Sequence, residues 1–248
     1  VLLPTSRGGA VTVLALQARG RVPAMLNFTA GPKAVREACE TAEVTTVLTS
    51  RRFVERAHLQ GVIDGLGGRV EYLEDIRGEI GPGAKLKAFA ESVLRPEPAR
   101  PGPDTAAVVL FTSGSEGAPK GVVLSHRNVL ANCAQLRARV PFSPADTVLN
   151  VLPIFHAFGL TGGLYLPLLN GVMTVCHPSP LHYRYIPEIA YSRDATLMFA
   201  TDTFLRGYSR AAQDFDFTSL KYVFAGAEKV RAETRREWSE RFGVRVLE

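Results

Sequence analysis

Ten residues, Thr112-Ser113-Gly114-Ser115-Glu116-Gly117-Ala118-Pro119-Lys120-Gly121, bring three hydroxyls, three glycines and a lysine together directly after the apolar run 106–110. That inventory suits an anion. Hydroxyls donate hydrogen bonds, glycines let backbone N–H groups close on a phosphate, and Lys120 adds a mobile positive charge. The apolar run predicts a buried strand that holds the loop. A Walker loop sets its lysine directly after glycine and before Ser or Thr, whereas Pro119 precedes Lys120 and Gly121 follows it. No Gly-x-Gly-x-x-Gly fingerprint occurs either. The plain alternative is a polar turn between a strand and a helix, but such turns rarely concentrate so many hydroxyls and glycines. Glu116 is out of place in an anion cradle and is expected to face solvent unless it helps to hold magnesium.

The loop resembles the signature of the acyl-activating, adenylate-forming enzymes, which include acyl-CoA synthetases, luciferases and the adenylation domains of peptide synthetases. Two further elements follow in the family's order. Pro153-Ile154-Phe155-His156-Ala157-Phe158-Gly159 is similar to its Pro-x-x-His-x-x-Gly stretch. Ala225-Gly226-Ala227-Glu228, after the apolar residues 222–224, is similar to the small-residue turn that lies against adenine in relatives. Finer pieces resemble the acyl-ACP synthetases often fused to a 2-acylglycerophosphoethanolamine acyltransferase. These pieces are residues 21–31, Leu181-His182-Tyr183-Arg184, Thr201-Asp202-Thr203-Phe204-Leu205 and 224–229.

The resemblance implies ATP and Mg2+ as cofactors, and a fatty acid whose carboxylate attacks the α-phosphorus, expels pyrophosphate and leaves an acyl-adenylate. The acyl group then passes to the phosphopantetheine thiol of acyl carrier protein, or to CoA, and serves phospholipid acylation. Thr112, Ser113, Gly114, Ser115, Gly117 and Lys120 would grip the β- and γ-phosphates, and Lys120 and His156 would be the catalytic residues. His156, with Phe155, Phe158 and Gly159, would meet the acyl carboxylate; for the isolated histidine, a buried structural role is the alternative. Thr201, Asp202 and Thr203 are candidates for substrate contact, with a helix cap as the alternative for Asp202 or Thr203. Ala225, Gly226, Ala227 and Glu228 would leave room for a flat purine just past a strand end. The fatty chain would lie in the uncharged region around Phe155, Phe158, Leu160 and Gly163. No metal ligand is assigned, because the family's Mg2+-side glutamate is expected beyond Glu248, with a ribose aspartate and a mobile lid bearing a lysine. The chain therefore reads as an N-terminal fragment that is inactive alone. An acyl-CoA ligase is the nearest alternative, and a nucleotide-binding or interaction module without catalysis is the alternative from another class.

Composition limits what else the chain could be. Its 248 residues are 46% hydrophobic, enough for a large domain or two lobes. A net charge of +5 without a lysine-rich tail or a basic and aromatic stripe argues against nucleic acid and favours small anionic partners or an acidic carrier protein. Cys39, Cys133 and Cys176 are odd in number and lie in apolar periodic segments, which suits a reducing cytoplasm. Cys176, His177 and His182 meet no recognised metal spacing. The chain starts at Val1 with no basic, apolar leader, so no secretory signal is read, and membrane contact is expected only through parts beyond it. Residues 147–183 carry no Asp, Glu, Lys or Arg, yet Pro153, Gly159, Gly162, Gly163, Pro167 and Gly171 cut the stretch below spanning length.

Helix and strand signals alternate throughout, which predicts an α/β fold in two lobes, with mainly parallel sheets flanked by helices. Helices are expected at 11–19 before Gly20, from Pro32 with Val35, Ala38, Cys39 and Ala42 on its apolar face, after Ser125 with its N-terminus close to the cradle and Val129, Leu130, Cys133, Ala134 and Leu136 buried, and over 230–242 with Val230, Thr234, Trp238 and Phe242 on one face. Strands are expected near 22–26, 44–48, 106–110, 148–152, 172–176, 197–200 and 222–225. Four prolines in 95–104 read as a linker between a first lobe, 1–94, and a second, 105–248, opened by the phosphate loop. Arginines 231, 235, 236 and 241 alternate with glutamates and read as a solvated helix face.

Overall fold

The computed structural model describes residues 1–66, 69–94, 101–113 and 119–248, without the side chains of Arg69, Ser92 and Ser113. The chain divides into two compact units, Val1–Leu3 with Gly8–Arg127 and Pro4–Arg7 with Asn128–Glu248. The α/β class expected from the alternation is the one observed.

The first unit runs α1 (Arg7–Ala18), β1 (Ala24–Met25), α2 (Pro32–Thr41), β2 (Thr46–Thr49), α3 (Arg51–Arg56), α4 (Gln60–Asp64), β3 (Arg69–Tyr72), α5 (Leu73–Glu79), α6 (Pro82–Leu94), β4 (Ala106–Ser113) and β5 (Pro119–Ser125). Pro32 opens α2, where its missing donor costs nothing, and Val35, Ala38 and Cys39 bury the expected face. They join Leu26, Val47, Val54, Val62 and Phe111 in one cluster. Strand β2 pairs in parallel with β3, and β4 lies between parallel β1 and antiparallel β5.

That antiparallel pair corrects the expectation that the helix after Ser125 starts close to the cradle, and it moves the division of the chain. The glycine-rich segment lies between two paired strands, so the plain alternative of a turn between a strand and a helix does not apply. The register runs from Ser113 opposite Pro119 down to Ala106 opposite Ser125, so the helix that follows, α7 (His126–Arg139), starts at the far end of the hairpin. Six residues of extended chain at about 3.3 Å each set the N-terminus of α7 about 20 Å along the strand from Pro119. It therefore cannot line the cradle. Secondly, β4 takes β1 as its neighbour, which ties the hairpin to the first unit and puts the division at Arg127. Of the expected linker, residues 95–100 lie outside the described residues.

The second unit continues with β6 (Thr147–Asn150), α8 (Ala157–Leu160), a π-helical turn (Thr161–Tyr165), α9 (Leu166–Leu169), β7 (Met173–Cys176), α10 (Tyr185–Ser192), β8 (Leu197–Ala200), α11 (Asp202–Ala211), β9 (Tyr222–Ala225), α12 (Ala232–Phe242) and β10 (Arg245–Leu247). Five strands form one parallel sheet in the order β10-β9-β8-β6-β7. Strands β6 and β8 are buried throughout, as apolar runs in a covered parallel sheet must be. Helix α12 buries Thr234, Trp238 and Phe242 at four-residue spacing; Trp238 stacks near Phe217 at 4.7 Å and donates through Nε1 to the Leu205 carbonyl at 3.3 Å. Burying each such aromatic contributes about 2–3 kcal/mol. Gly243, at φ +67°, ends the helix in the left-handed region that favours glycine.

The arginines of that last helix are not simply solvated. Arg231 pairs with the buried Asp202, and Arg235 donates to the Val246 carbonyl at 2.9 Å. Arg241 binds Asp214 at 2.6 Å and the Ser209 and Ala212 carbonyls at 2.6 and 2.8 Å, which satisfies carbonyls at the C-terminal end of α11. On α7 only Val129 and Cys133 are buried, so the face expected to include Leu130 and Ala134 is narrower. Among the described residues no helix is long and apolar enough to cross a membrane.

Candidate functional site

Of the phosphate residues, Gly114, Ser115 and Gly117 lie outside the described residues, as does Glu116. The base of the hairpin is described. Thr112 and Lys120 are cross-strand partners, so their side chains leave the same face of the ladder, and both are exposed. The Lys120 ammonium has no carboxylate partner among the described residues. An ammonium with no carboxylate partner among the described residues, across the ladder from a hydroxyl, is an arrangement that suits an anion. Ser113, the last residue of β4, sits opposite Pro119.

The second unit builds its site from the topology of its sheet. From β6 the chain adds β7 on one side, then returns to place β8 and β9 on the other. Loops leaving the carboxyl ends of β6 and β8 therefore diverge and open a crevice, the usual ligand position in such sheets. The His156 loop follows β6, Thr201-Asp202-Thr203 follows β8, and Gly226-Ala227-Glu228 follows β9. Three stretches far apart in sequence thus meet at the same ends of neighbouring strands.

Each stretch is held by specific contacts. Thr5 Oγ1 donates to the Leu152 carbonyl at 2.7 Å and accepts from the Ile154 amide at 3.2 Å, which fixes the loop that carries His156. Asn150, fully buried at the end of β6, donates through Nδ2 to the Gly159 carbonyl at 3.2 Å. Its Oδ1 is buried with no hydrogen-bond partner among the described residues. Gly163 packs so closely on it that a Cβ there would come within 2.1 Å of the Asn150 side chain. The chain accommodates this approach in the π-helical turn, a form that collects at functional sites.

Phe158 connects the His156 loop to the small-residue turn. A Cβ added to Gly226 would lie 3.3 Å from the Phe158 ring, and that ring meets Phe199 edge-on at 5.6 Å. Phe199 in turn stacks on Phe224 at 5.2 Å. Phe155 is buried and lies 4.6 Å from the imidazole of His156. His156 itself is exposed, and its imidazole has no hydrogen-bond partner among the described residues. Desolvation by its surroundings lowers its pKa, so the ring is neutral at pH 7 and can present either nitrogen to a carboxylate or phosphate oxygen.

Glu228 is fastened to the N-terminus of α11. Its carboxylate accepts from the Thr203 amide at 2.7 Å and the Thr203 hydroxyl at 3.0 Å. These bonds, with the Thr203 amide foremost, hold its pKa below the ordinary carboxylate value. Thr201 is the N-cap, accepting from the Phe204 amide at 3.4 Å. Asp202 is buried and accepts from the Arg231 amide at 3.0 Å, so it anchors the start of α12 to the start of α11. Between these anchors Ala227 sits at φ +68°, a conformation that costs a non-glycine residue about 1–2 kcal/mol. Strain held by flanking contacts marks a turn whose shape matters.

The described residues fit a nucleotide in part. Within the second unit, Gly226 and Ala227 put small residues just past a strand end, which suits a flat ring; within the first, the base of the hairpin suits an anion. They supply no ligand set for Mg2+: among the described residues no three of His, Cys, Asp or Glu come together to hold a metal. Sequence reasoning missed Thr5, Asn150 and the Glu228 clasp. No local signal marks them, since each acts on a residue distant in the chain.

Comparison with known proteins agrees with this geometry. The AMP-binding enzyme family matches residues 1–248. A 4-hydroxyphenylalkanoate adenylyltransferase of Mycobacterium tuberculosis is 33% identical over 152 residues, 55% of this chain and 24% of that protein. The medium-chain fatty-acid–CoA ligase of Escherichia coli is 30% identical over 150 residues, 58% of this chain and 25% of that one. The chain thus spans about a quarter of the length of these curated relatives. The crystal structure of VinN superposes on 99% of this chain and 59% of its own length with a TM-score of 0.80 at 19% identity, a likeness of fold. The chain belongs to the AMP-binding enzyme family.

Proposed function

We propose that the protein activates a fatty acid by adenylation and passes the acyl group to the phosphopantetheine thiol of acyl carrier protein. One observation carries the reading: the histidine loop, the Thr201-Asp202-Thr203 stretch and the small-residue turn gather at the carboxyl ends of β6, β8 and β9, around the switch point. ATP supplies the electrophilic phosphorus and the pyrophosphate leaving group, and Mg2+ shares the phosphate charge when bound. Lys120 and Thr112 hold the phosphate tail and stabilise charge that grows on it. His156, neutral at pH 7, orients the carboxylate. Gly226 and Ala227 flank the adenine, and Glu228 keeps their turn in shape. The uncharged surface around Phe155, Phe158 and Leu160 takes the alkyl chain. The reduced state of three unpaired cysteines suits the cytoplasm, and the thioester product suits phospholipid acylation.

Carrier protein as the acceptor is supported by the segments that resemble acyl-ACP synthetases. A second reading, CoA as the acceptor, is favoured by the relatives named as CoA ligases. ATP–pyrophosphate exchange by the complete protein tests the activation step. Exchange should require a fatty acid, and Lys120→Ala should lower it by about a hundredfold or more. Exchange that is absent with every carboxylate, or indifferent to Lys120, contradicts the reading. Acyl-thioester yield with carrier protein and CoA in competition decides the acceptor.

A further inference from the structure

Between α10 and α11 the second unit carries an open groove of about 480 Å³, lined by Tyr183, Arg184, Thr203, Arg206, Gly207 and Arg210. Arg206 and Arg210 stand one turn apart on α11, and Arg184 faces them from the start of α10. None of these three guanidiniums has a carboxylate or hydrogen-bond partner among the described residues, whereas nearby Arg231 and Arg241 are paired with Asp202 and Asp214. Two carboxylates border the adjoining hollow. Asp216 is buried and accepts from the Gln213 amide at 2.7 Å, and Glu188 makes no ion pair among the described residues. Arg184 and Arg210 line that hollow too, so three guanidiniums stand against two carboxylates and the face keeps a surplus of positive charge, greatest at Arg206.

Its floor is built. A Cβ on Gly207 would come within 2.2 Å of the Tyr183 ring, so only glycine lets that ring lie against α11. Tyr183 is its own aromatic residue, and the adjoining hollow, which shares Arg184 and Arg210 with it, adds Tyr191 and Phe215, each 53% exposed and meeting edge-on at 5.3 Å. Arginine and exposed tyrosine together are the composition of protein interfaces, not of a small-nucleotide pocket. One end of the groove is Thr203, the residue that Glu228 clasps at the crevice.

We propose that this groove docks an acidic helix of the carrier protein that brings the thiol. The proposal rests on the thiol-transfer reading above. Carboxylates one helical turn apart match the spacing of Arg206 and Arg210, and an open groove with three spread guanidiniums suits a row of carboxylates better than a single phosphate. A thiol on a flexible arm attached to a protein seated there starts beside Thr203, at the edge of the crevice.

The test uses the complete protein and a phosphopantetheinylated bacterial acyl carrier protein as probe, with binding read by fluorescence anisotropy. Reversing two charges, Arg206→Glu with Arg210→Glu, should weaken binding by about tenfold or more, and placing lysines at the facing acidic positions of the carrier should restore it. The pair Arg206→Gln with Arg210→Gln should show a smaller loss, so a folding defect of the first variant does not decide the result. Fatty-acid-dependent ATP–pyrophosphate exchange should stay within about twofold of the parent, because neither arginine belongs to the activation site. Carrier affinity unmoved by both variants, a parent that does not bind the carrier, or CoA displacing the carrier through the same arginines overturns the docking surface and leaves activation standing. Charge-dependent carrier binding by a parent without exchange supports the groove and counts against adenylation instead.

Discussion

Thr112 and Lys120 are rungs of one hairpin, eight positions apart, whereas the crevice of the second unit joins Asn150 to Gly163, Phe158 to Gly226 and Thr203 to Glu228. The hairpin is a local device. Its Thr112 and Lys120 side chains are exposed, so their removal leaves the packing intact. The crevice is a non-local one, and the residues that shape it are also the residues that hold the sheet's loops together. Substitutions in the two regions should therefore fail differently, activity alone in the first and stability with activity in the second.

Lys120→Ala should give the largest effect on activity, the hundredfold loss of exchange described above, with unfolding free energy changed by less than about 0.5 kcal/mol because the side chain is exposed. A large loss of stability would erase the contrast. Gly163→Ala should do the reverse. A methyl group 2.1 Å from the buried Asn150 side chain overpacks the π-helical turn, and urea unfolding should show a loss of about 3 kcal/mol. An unchanged midpoint would mean that the turn is not the rigid element described.

Much of this division is already visible in the residues, and much is not. Strands β8 and β9 run over 197–200 and 222–225 as their apolar runs predict, and Trp238 and Phe242 bury the face of α12 that their spacing predicts. Strand β5 was hidden. As an edge strand, with Val123 60% exposed and no alternation of buried and exposed residues, Pro119–Ser125 carries none of the period that marks a half-buried strand. The hydroxyls and lysine of the hairpin announce their chemistry by type alone. The carboxylate of Glu228 announces nothing, since its work depends on an amide 25 residues away. Prolines mark where regular structure stops, whereas the pairing of β1 with β4 decides which compact unit the hairpin joins.

Glu228→Gln gives a smaller and pH-dependent effect. The folded carboxylate has a lowered pKa, so it binds protons less readily than the unfolded one, and its stabilisation is present at neutral pH and lost as pH falls from about 4.5 through the lowered value. The glutamine variant should lose about 1 kcal/mol at pH 7 and converge with the parent in acid. Urea titrations at both pH values measure it. A constant difference between the two would show that the clasp does not act through its charge.

The measurement closest to the central claim is a crystal structure of the complete protein with an acyl-sulfamoyl adenosine, a stable mimic of the acyl-adenylate. The adenine should lie against Gly226 and Ala227, and the acyl group should pass His156 and Phe158 at the carboxyl ends of β6 and β8. A ligand bound away from the switch point, with these three loops unvisited, would contradict the account.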